Sequence, residues 1–429
     1  MVAAAAVGLA MTTCTGGPPP GPVIPPECTA PLTVTLLTAS GRRPASAQVE
    51  ADDCGWGTGL RRPGATFSLH ALTASSYNHD FSGSHPNPHT DYAIVGVEGL
   101  TGSHPTVLVP GPHDYSVNSV EGTVTGGSGG PVRLYGAGSQ GPIAPVLAGT
   151  DGGFSVPSNW EGIDPLTLTV RAFEVDDAGT PAHYLGYGET SATIQANSSW
   201  IPPWYPPSRG ASVALEPVSE GMVTGLVTAA PELQAGQLSL RWWLKVPEGM
   251  LQLGAFPAGS AEASAPSVVF PIIPGAHPWL GVRSEGPAGR SWDDREVQVP
   301  SQDVPFDLPA PVTLLEPTEG ASVTQRTRFS WTSGSDGGHT ALQVGCQWST
   351  SGMHSYTAYS YVATLEAVGT QASLNGIFPD GGTGIPRGTA CWWSVIWQPE
   401  GGHFSATPED ADGPEHRGSQ SQIHTFIFQ

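Results

Sequence analysis

The chain has 429 residues, long enough for about three or four domains with separate cores. Its 56 glycines, 43 prolines and 12% charged residues favour short strands and turns over long helices, so we predict an all-β fold. The net charge of −21, from 16 basic and 37 acidic residues, repels phosphate groups and argues against nucleic acid as a partner.

The N-terminus is predicted to direct export. Residues 2–11 form a run of small apolar residues that is too short to span a bilayer, and Cys14 and a Pro/Gly-rich stretch follow. This order resembles bacterial lipoproteins, whose cysteine becomes the lipidated first residue of the mature chain. The resemblance implies that Cys14 anchors the protein to a membrane of the bacterial cell envelope, on its periplasmic or surface side. Ordinary secretion is the alternative.

A repeated stretch organises the rest of the chain. Residues 121–126, E-G-T-V-T-G, return as E-G-M-V-T-G from Glu220 and more loosely as E-G-A-S-V-T from Glu319. Both intervals are 99 residues (220 − 121 and 319 − 220), which fits a β-sandwich of about 100 residues. We therefore predict a tandem array of about four antiparallel β-sandwiches, immunoglobulin-like or transthyretin-like. The predicted ranges are 1–28 for the signal and tether, then 29–115, 116–215, 216–308 and 309–429 for the first to fourth units.

The first unit holds the densest set of possible metal ligands: His79, His85, His89 and Asp91. Imidazoles and a carboxylate on one loop suit Zn²⁺, but the spacing matches no helical pair and the interpretation we favour is a solvated loop. Four acidic pairs, at 52–53, 176–177, 293–294 and 409–410, lack the spacing of a calcium loop and are interpreted as solvated loop carboxylates too. We predict no metal site and no cofactor.

The second unit contains a string of short β motifs. They are G-T-V at 122–124, P-V-R-L at 131–134, D-G-G-F-S at 151–155 and L-T-L-T-V-R-A at 166–172. The string resembles the carboxypeptidase regulatory-like domain, a transthyretin-type sandwich, and the third unit shows the same outline. Since such domains are not the catalytic part of the enzymes they accompany, the resemblance implies structural or binding modules.

Ser128 lies in G-G-S-G-G-P, which resembles the nucleophile segment of trypsin-like serine proteases. Gly127 stands where that segment has an acidic residue, and a serine without a base and an orienting carboxylate is inert. We interpret the segment as a glycine-rich hairpin between Val124 and Val132, and we predict no catalytic residue.

The stretch 200–207, W-I-P-P-W-Y-P-P, is held extended by its prolines. Trp200, Trp204 and Tyr205 are therefore candidates for stacking on sugars or proline-rich peptides. The alternative is that these rings fill the gap between the second and third units.

The fourth unit has Trp331 on an early strand and an aromatic-rich strand at 390–395. It resembles fibronectin type III-like domains of bacterial surface proteins. In that topology the strands that carry Cys346 and Cys391 are neighbours, and strand parity directs both thiols to the core. We predict a Cys346–Cys391 disulfide, which closes an interval of 45 residues and contributes about 3 to 4 kcal/mol. Cys28 and Cys54 form the other predicted pair, and an even count of this kind is typical of an oxidising compartment.

These features predict a non-enzymatic, exported, lipid-anchored envelope protein that acts as a rod-like spacer or as an adhesion or binding module. Expected partners are the membrane, through the lipid, and a glycan or an envelope protein. Two alternatives stay open: an accessory carbohydrate-binding protein that uses the rings at 200–205, and an exported hydrolase with a site between units.

Overall fold

The structure is a computed structural model, and the predicted all-β class is confirmed. In the part of the chain that it describes, the only regular helix is one 3-10 turn, Pro231–Leu233. The described residues are 24–37, 47–52, 54–64, 66–78, 88–100, 103–109, 118–137, 146–158, 166–176, 182–194, 208–233, 236–247, 249–260, 267–332, 334, 338–351, 356–367, 369–374, 385–399 and 417–429.

The first unit contributes seven strands. They are β1 (Ala30–Pro31), β2 (Thr35–Leu37), β3 (Ala47–Ala51), β4 (Leu60–Arg61), β5 (Phe67–Asn78), β6 (Pro88–Leu100) and β7 (Thr106–Leu108). β5 lies between β3 and β6 in an antiparallel sheet, and β1 pairs with β4. Alternation along β5 buries Phe67, Leu69 and Ala71 with Val95 of β6, so one face of this sheet forms the unit's core.

The second unit also has seven strands. They are β8 (Asn118–Gly126), β9 (Val132–Ala137), β10 (Val146–Leu147), β11 (Gly153–Ser158), β12 (Leu166–Asp176), β13 (His183–Ile194) and β14 (Ser208–Pro217). Their order is β10-β9-β12-β13-β14-β8-β11. Leu168 and Val170 of β12 pack with Val120 of β8 and Val213 of β14 in the core between the two halves of this sheet.

The third unit is a two-layer sandwich. Its strands are β15 (Glu220–Ala229), β16 (Gln237–Val246), β17 (Gly249–Ser260), β18 (Ser267–Pro271), β19 (His277–Gly286), β20 (Gly289–Glu296) and β21 (Ser301–Leu308). The layer β18-β15-β21 packs on the layer β17-β16-β19-β20. Leu238, Leu240 and Leu244 alternate along β16 and face Phe270 and Phe306 in the core.

The fourth unit has nine strands. They are β22 (Leu314–Glu316), β23 (Ala321–Val323), β24 (Arg328–Trp331), β25 (Gly338–Ser351), β26 (Tyr356–Ala367), β27 (Gln371–Ser373), β28 (Ala390–Pro399), β29 (Gly418–Ser421) and β30 (His424–Phe428). The layer β22-β24-β27 covers β25, β26 and β28, and Trp331 and Trp393 are fully buried between them.

In each of the four units, an early strand runs parallel to the last strand. The pairs are β2 with β7, β8 with β14, β15 with β21, and β23 with β30. Two of the repeated glutamates bind this last strand: Glu121 contacts Arg209 of β14 at 3.2 Å, and Glu319 accepts a hydrogen bond from the Thr425 backbone of β30 at 2.7 Å. The repeat seen in the sequence therefore marks the strand on which each later unit closes.

One sheet continues through three of the units. Its strand order is β17-β16-β19-β20-β29-β28-β25-β26-β6-β5-β3, so the third unit joins the fourth at β20 and β29, and the fourth joins the first at β26 and β6. The extended rod predicted from the repeat is therefore wrong, because the N-terminal unit pairs with the C-terminal one. The number of domains and their boundaries stay predictions.

The cores of the first and fourth units lie on opposite faces of this shared sheet. Neighbouring residues of β6 show the change: Ile94 packs with the core of the fourth unit, and Val95 packs with Phe67 in the core of the first. Since successive side chains of a strand point to opposite faces, β6 serves both cores at once.

An aromatic joint holds the second unit to the third. Tyr135, Phe173 and Tyr184 of the second unit belong to the same buried cluster as Trp242 of the third. The Trp242 indole N–H donates to the Tyr184 hydroxyl at 3.0 Å, and the Tyr135 hydroxyl donates to the Leu253 carbonyl at 3.3 Å. Glu220, the middle repeated glutamate, accepts the Tyr184 backbone N–H at 2.9 Å.

The structure contains both predicted disulfides, Cys28–Cys54 and Cys346–Cys391. Cys346 and Cys391 are direct partners on β25 and β28, and both lie in the fourth core with Val344 and Trp393, as strand parity predicts. The sequence also predicts that one ring of each Trp–Trp pair is buried. That holds for Trp393, which is buried beside a half-buried Trp392, but Trp242 and Trp243 are both buried.

Tryptophan rings lie over glycines of neighbouring strands at several points of the shared sheet. A Cβ at Gly345 would be 2.2 Å from the Trp392 ring, and a Cβ at Gly254 would be 2.2 Å from the Trp242 ring. No side chain fits at such distances, so these glycines leave the space that lets each ring lie against the sheet.

Candidate binding surface

The glycine-rich segment around Ser128 binds a carboxylate of the chain itself. The Ser128 backbone N–H donates to both oxygens of Glu174 at 2.7 and 2.9 Å, its hydroxyl donates to Oε1 at 2.9 Å, and the Gly130 N–H donates to Oε1 at 2.7 Å. Positive φ angles at Gly126, Gly127 and Gly129 curl the backbone around the carboxylate. Since the Ser128 hydroxyl donates to Glu174, this geometry indicates a structural role.

The hairpin predicted for this segment is wrong. β8 pairs with β11 and β14, and β9 pairs with β10 and β12, so the segment crosses from one strand set to the other. Glu174 of β12 is 2% exposed and fixes this crossing. Local sequence shows the glycines but not the carboxylate, which is 46 residues from Ser128.

Burial alone would raise the pKa of Glu174, but the hydrogen bonds from Ser128 and Gly130 outweigh it and hold the pKa below its usual value. A lowered pKa adds stability that is present above the unfolded-state pKa of about 4.3 and is lost as the pH falls through the folded-state value. We expect Glu174→Gln to lower the free energy of unfolding by about 2 kcal/mol at neutral pH. The difference from wild type should shrink below about pH 4.

Urea unfolding of both proteins between neutral pH and pH 3 measures this difference. Glu216→Gln is the control, because Glu216 is an exposed residue of β14. A Glu174→Gln variant with wild-type stability at neutral pH, or with a deficit that stays constant into acid, would contradict the assignment.

Several predicted site residues lie outside the described residues: Cys14, His79, His85, Trp200, Trp204 and Tyr205. His89 and Asp91 belong to β6, where their backbones pair with Ala358 and Ser360, so this part of the predicted solvated loop is a strand. Among the residues that the structure describes, no group of three or more His, Cys, Asp or Glu side chains could hold a metal ion.

Asp293 and Asp294 are buried in β20, so their interpretation as solvated loop carboxylates is wrong. Asp293 is 1% exposed and accepts hydrogen bonds from the Arg295 guanidinium at 2.7 to 3.1 Å and from the Asp307 backbone N–H at 2.7 Å. Asp294 faces the opposite side of the strand and lies 3.7 Å from Arg283. Arg295 and Arg283 lie in the same layer of the sandwich, and their positive charges offset the cost of burying the two carboxylates.

Three half-buried aromatic side chains lie together where the first and fourth units meet, and we call this group the aromatic corner. It consists of Tyr92 of the first unit with Trp348 and Tyr359 of the fourth. The rings of Trp348 and Tyr359 stack at 5.3 Å with an interplanar angle of 11°. Tyr361 of β26 is buried next to these rings, and its backbone is the register partner of Tyr92 of β6.

Two tyrosine hydroxyls at this corner, those of Tyr92 and Tyr361, have pKa values above the usual value of a tyrosine. Burial, and then the neighbouring Tyr359, raises the pKa of Tyr92, and burial raises the pKa of Tyr361 well above its usual value. The corner therefore presents aromatic rings with neutral hydrogen-bonding groups, which is typical of sites for uncharged polar ligands.

The aromatic corner was not predicted, although the sequence contains two signals for it. Trp348 follows Cys346 by two residues, so it continues the face of β25 on which Leu342, Val344 and Cys346 lie. Tyr359 and Tyr361 are two residues apart on β26 and share a face in the same way. The pairing of β26 with β6 cannot be predicted from either stretch of sequence alone.

No helix among the described residues has the length and apolar character needed to cross a membrane. No protein-family model matches the chain, and no curated protein matches it. Among solved structures, one match is a crystal structure of a candidate adhesin from Bacteroides ovatus, with 8% identity over 50% of this chain and 92% of that chain. Its TM-score of 0.15 is too low to support an inference about fold or function.

Proposed function

We propose that this is a non-enzymatic, exported protein of the bacterial cell envelope that is lipid-anchored at Cys14 and acts as an adhesion or binding module. The observation that carries the proposal is the continuous sheet, which joins strands of the first, third and fourth units into one support. Such a support displays a binding surface in a fixed geometry. The spacer interpretation is less favoured, because the first unit folds back onto the fourth.

The buried charges support a structural rather than a catalytic use. Glu174 is bound by Ser128 and Gly130, and Asp293 is bound by Arg295. A carboxylate that acts as an acid or base needs access to a substrate, and these two are saturated by their own chain. An exported hydrolase is therefore the weaker alternative.

Two buried disulfides agree with export, because such bonds persist in oxidising compartments. Two measurements test the proposal in a bacterial host. Mass spectrometry of the mature N-terminus should find acylated Cys14, and the protein should fractionate with membranes. Cys14→Ala should release it into the soluble exported fraction.

Beads coated with the purified protein should adhere to cells or envelope fragments more strongly than beads coated with heat-unfolded protein. Unmodified Cys14 in a membrane-free protein would overturn the anchoring, and beads that adhere no better than their control would overturn the adhesive function.

A further inference from the structure

We infer that the aromatic corner of Tyr92, Trp348 and Tyr359 binds uncharged sugar rings. This inference rests on the binding function proposed above and names its ligand class. It adds a second candidate site to the stretch 200–205, which lies outside the described residues and stays a prediction.

The side chains of the corner are of a kind that suits a sugar. The corner contains only Trp and Tyr rings, which combine an apolar face with a polar tip, and no Leu, Ile or Phe is exposed beside them among the described residues. A protein partner usually buries aliphatic side chains as well. A sugar ring presents C–H groups to an aromatic face and hydroxyls to the polar tips, and both are available here.

The rings of the corner are held rigidly. Tyr359 backs Trp348 in a nearly parallel stack, and both residues lie on strands that pair along twelve positions. The buried Tyr361 and the Cys346–Cys391 disulfide lie next to them on the same face. A ring held in this way loses little conformational freedom when a ligand stacks on it, so weak contacts are sufficient for binding.

The charge of the protein also restricts the ligand class. The net charge of −21 disfavours polyanions, so the ligand class is neutral.

The test uses the intact full-length protein and affinity gel electrophoresis with three neutral polysaccharides, xyloglucan, mannan and soluble starch, and with alginate as the anionic probe. At least one neutral polysaccharide should retard the wild type, and alginate should not. Trp348→Ala should weaken binding at least tenfold by calorimetry. Trp348→Phe keeps a ring and the packing, and it should weaken binding only several-fold.

Trp392→Ala is the matched control, because Trp392 is a half-buried tryptophan of the same sheet on its opposite face. It should bind as wild type does. The inference is overturned if no neutral polysaccharide retards the wild type, if alginate alone does, or if Trp348→Ala and Trp348→Phe both bind normally. Beads that still adhere to envelope fragments in those cases would show that the adhesive function stands while the sugar site fails.

Discussion

Trp393→Ala is expected to lower the free energy of unfolding of the fourth unit by about 3 to 5 kcal/mol. Trp393 is fully buried on β28, its ring lies 5.1 Å from Phe329 at 71°, and Phe329 in turn contacts Phe426. Removing the indole leaves a cavity that strands fixed by hydrogen bonds on both sides cannot close. Urea unfolding followed by tryptophan fluorescence measures the loss.

Trp392→Ala provides the comparison for this prediction, because the two residues are adjacent on β28 but point to opposite faces. Its ring is half-buried over Gly345, so we expect a loss of about 1 to 2 kcal/mol. Equal losses in the two variants would mean that the core face of β28 has been assigned wrongly.

Ile94→Asp is expected to open the joint between the first and fourth units. Ile94 is 1% exposed, belongs to the first unit, and packs in the core of the fourth opposite Ala363. An unpaired carboxylate there costs about 4 kcal/mol or more, which is enough to favour separation of β6 from β26. Small-angle X-ray scattering should show a larger radius of gyration, and limited proteolysis should cut the linker between the first two units faster.

Ile94→Val is the control for the joint, since it removes one methyl group, adds no charge and should cost about 0.5 to 1.5 kcal/mol. Its scattering curve should match the wild type. If Ile94→Asp also kept the wild-type radius of gyration and stability, the two units would not share a core through Ile94.

Strands with regular alternation were predictable from the sequence. The motif at 166–172 lies in β12 and the predicted strand at 390–395 lies in β28, because alternating side chains leave each strand one face to bury. The same alternation predicted that the side chains of Cys346 and Cys391 point into the core. These predictions need only local information, and local information was sufficient for them.

Strands whose burial depends on distant partners were not predictable. β20 contains Asp293 and Asp294, and two adjacent acidic residues in a sequence indicate a loop. Burial of Asp293 in a strand depends on its hydrogen bonds with Arg295 and with the Asp307 backbone. β26 is rich in tyrosine and small residues, and its burial depends on β6, which lies more than 250 positions earlier. The aromatic corner lies at that meeting, so the candidate site was hidden for the same reason as the joint that forms it.

Each unit closes by a parallel pair of an early strand and its last strand, and this arrangement determines how a unit resists force. In a parallel pair, the chain enters one strand and leaves the other at opposite ends of the pair. A pull on the two ends of a unit therefore slides the strands along each other and loads all their hydrogen bonds together. In the adhesive function proposed above, tension on the protein would meet this shearing resistance in every unit through which it passes, instead of breaking the hydrogen bonds one at a time.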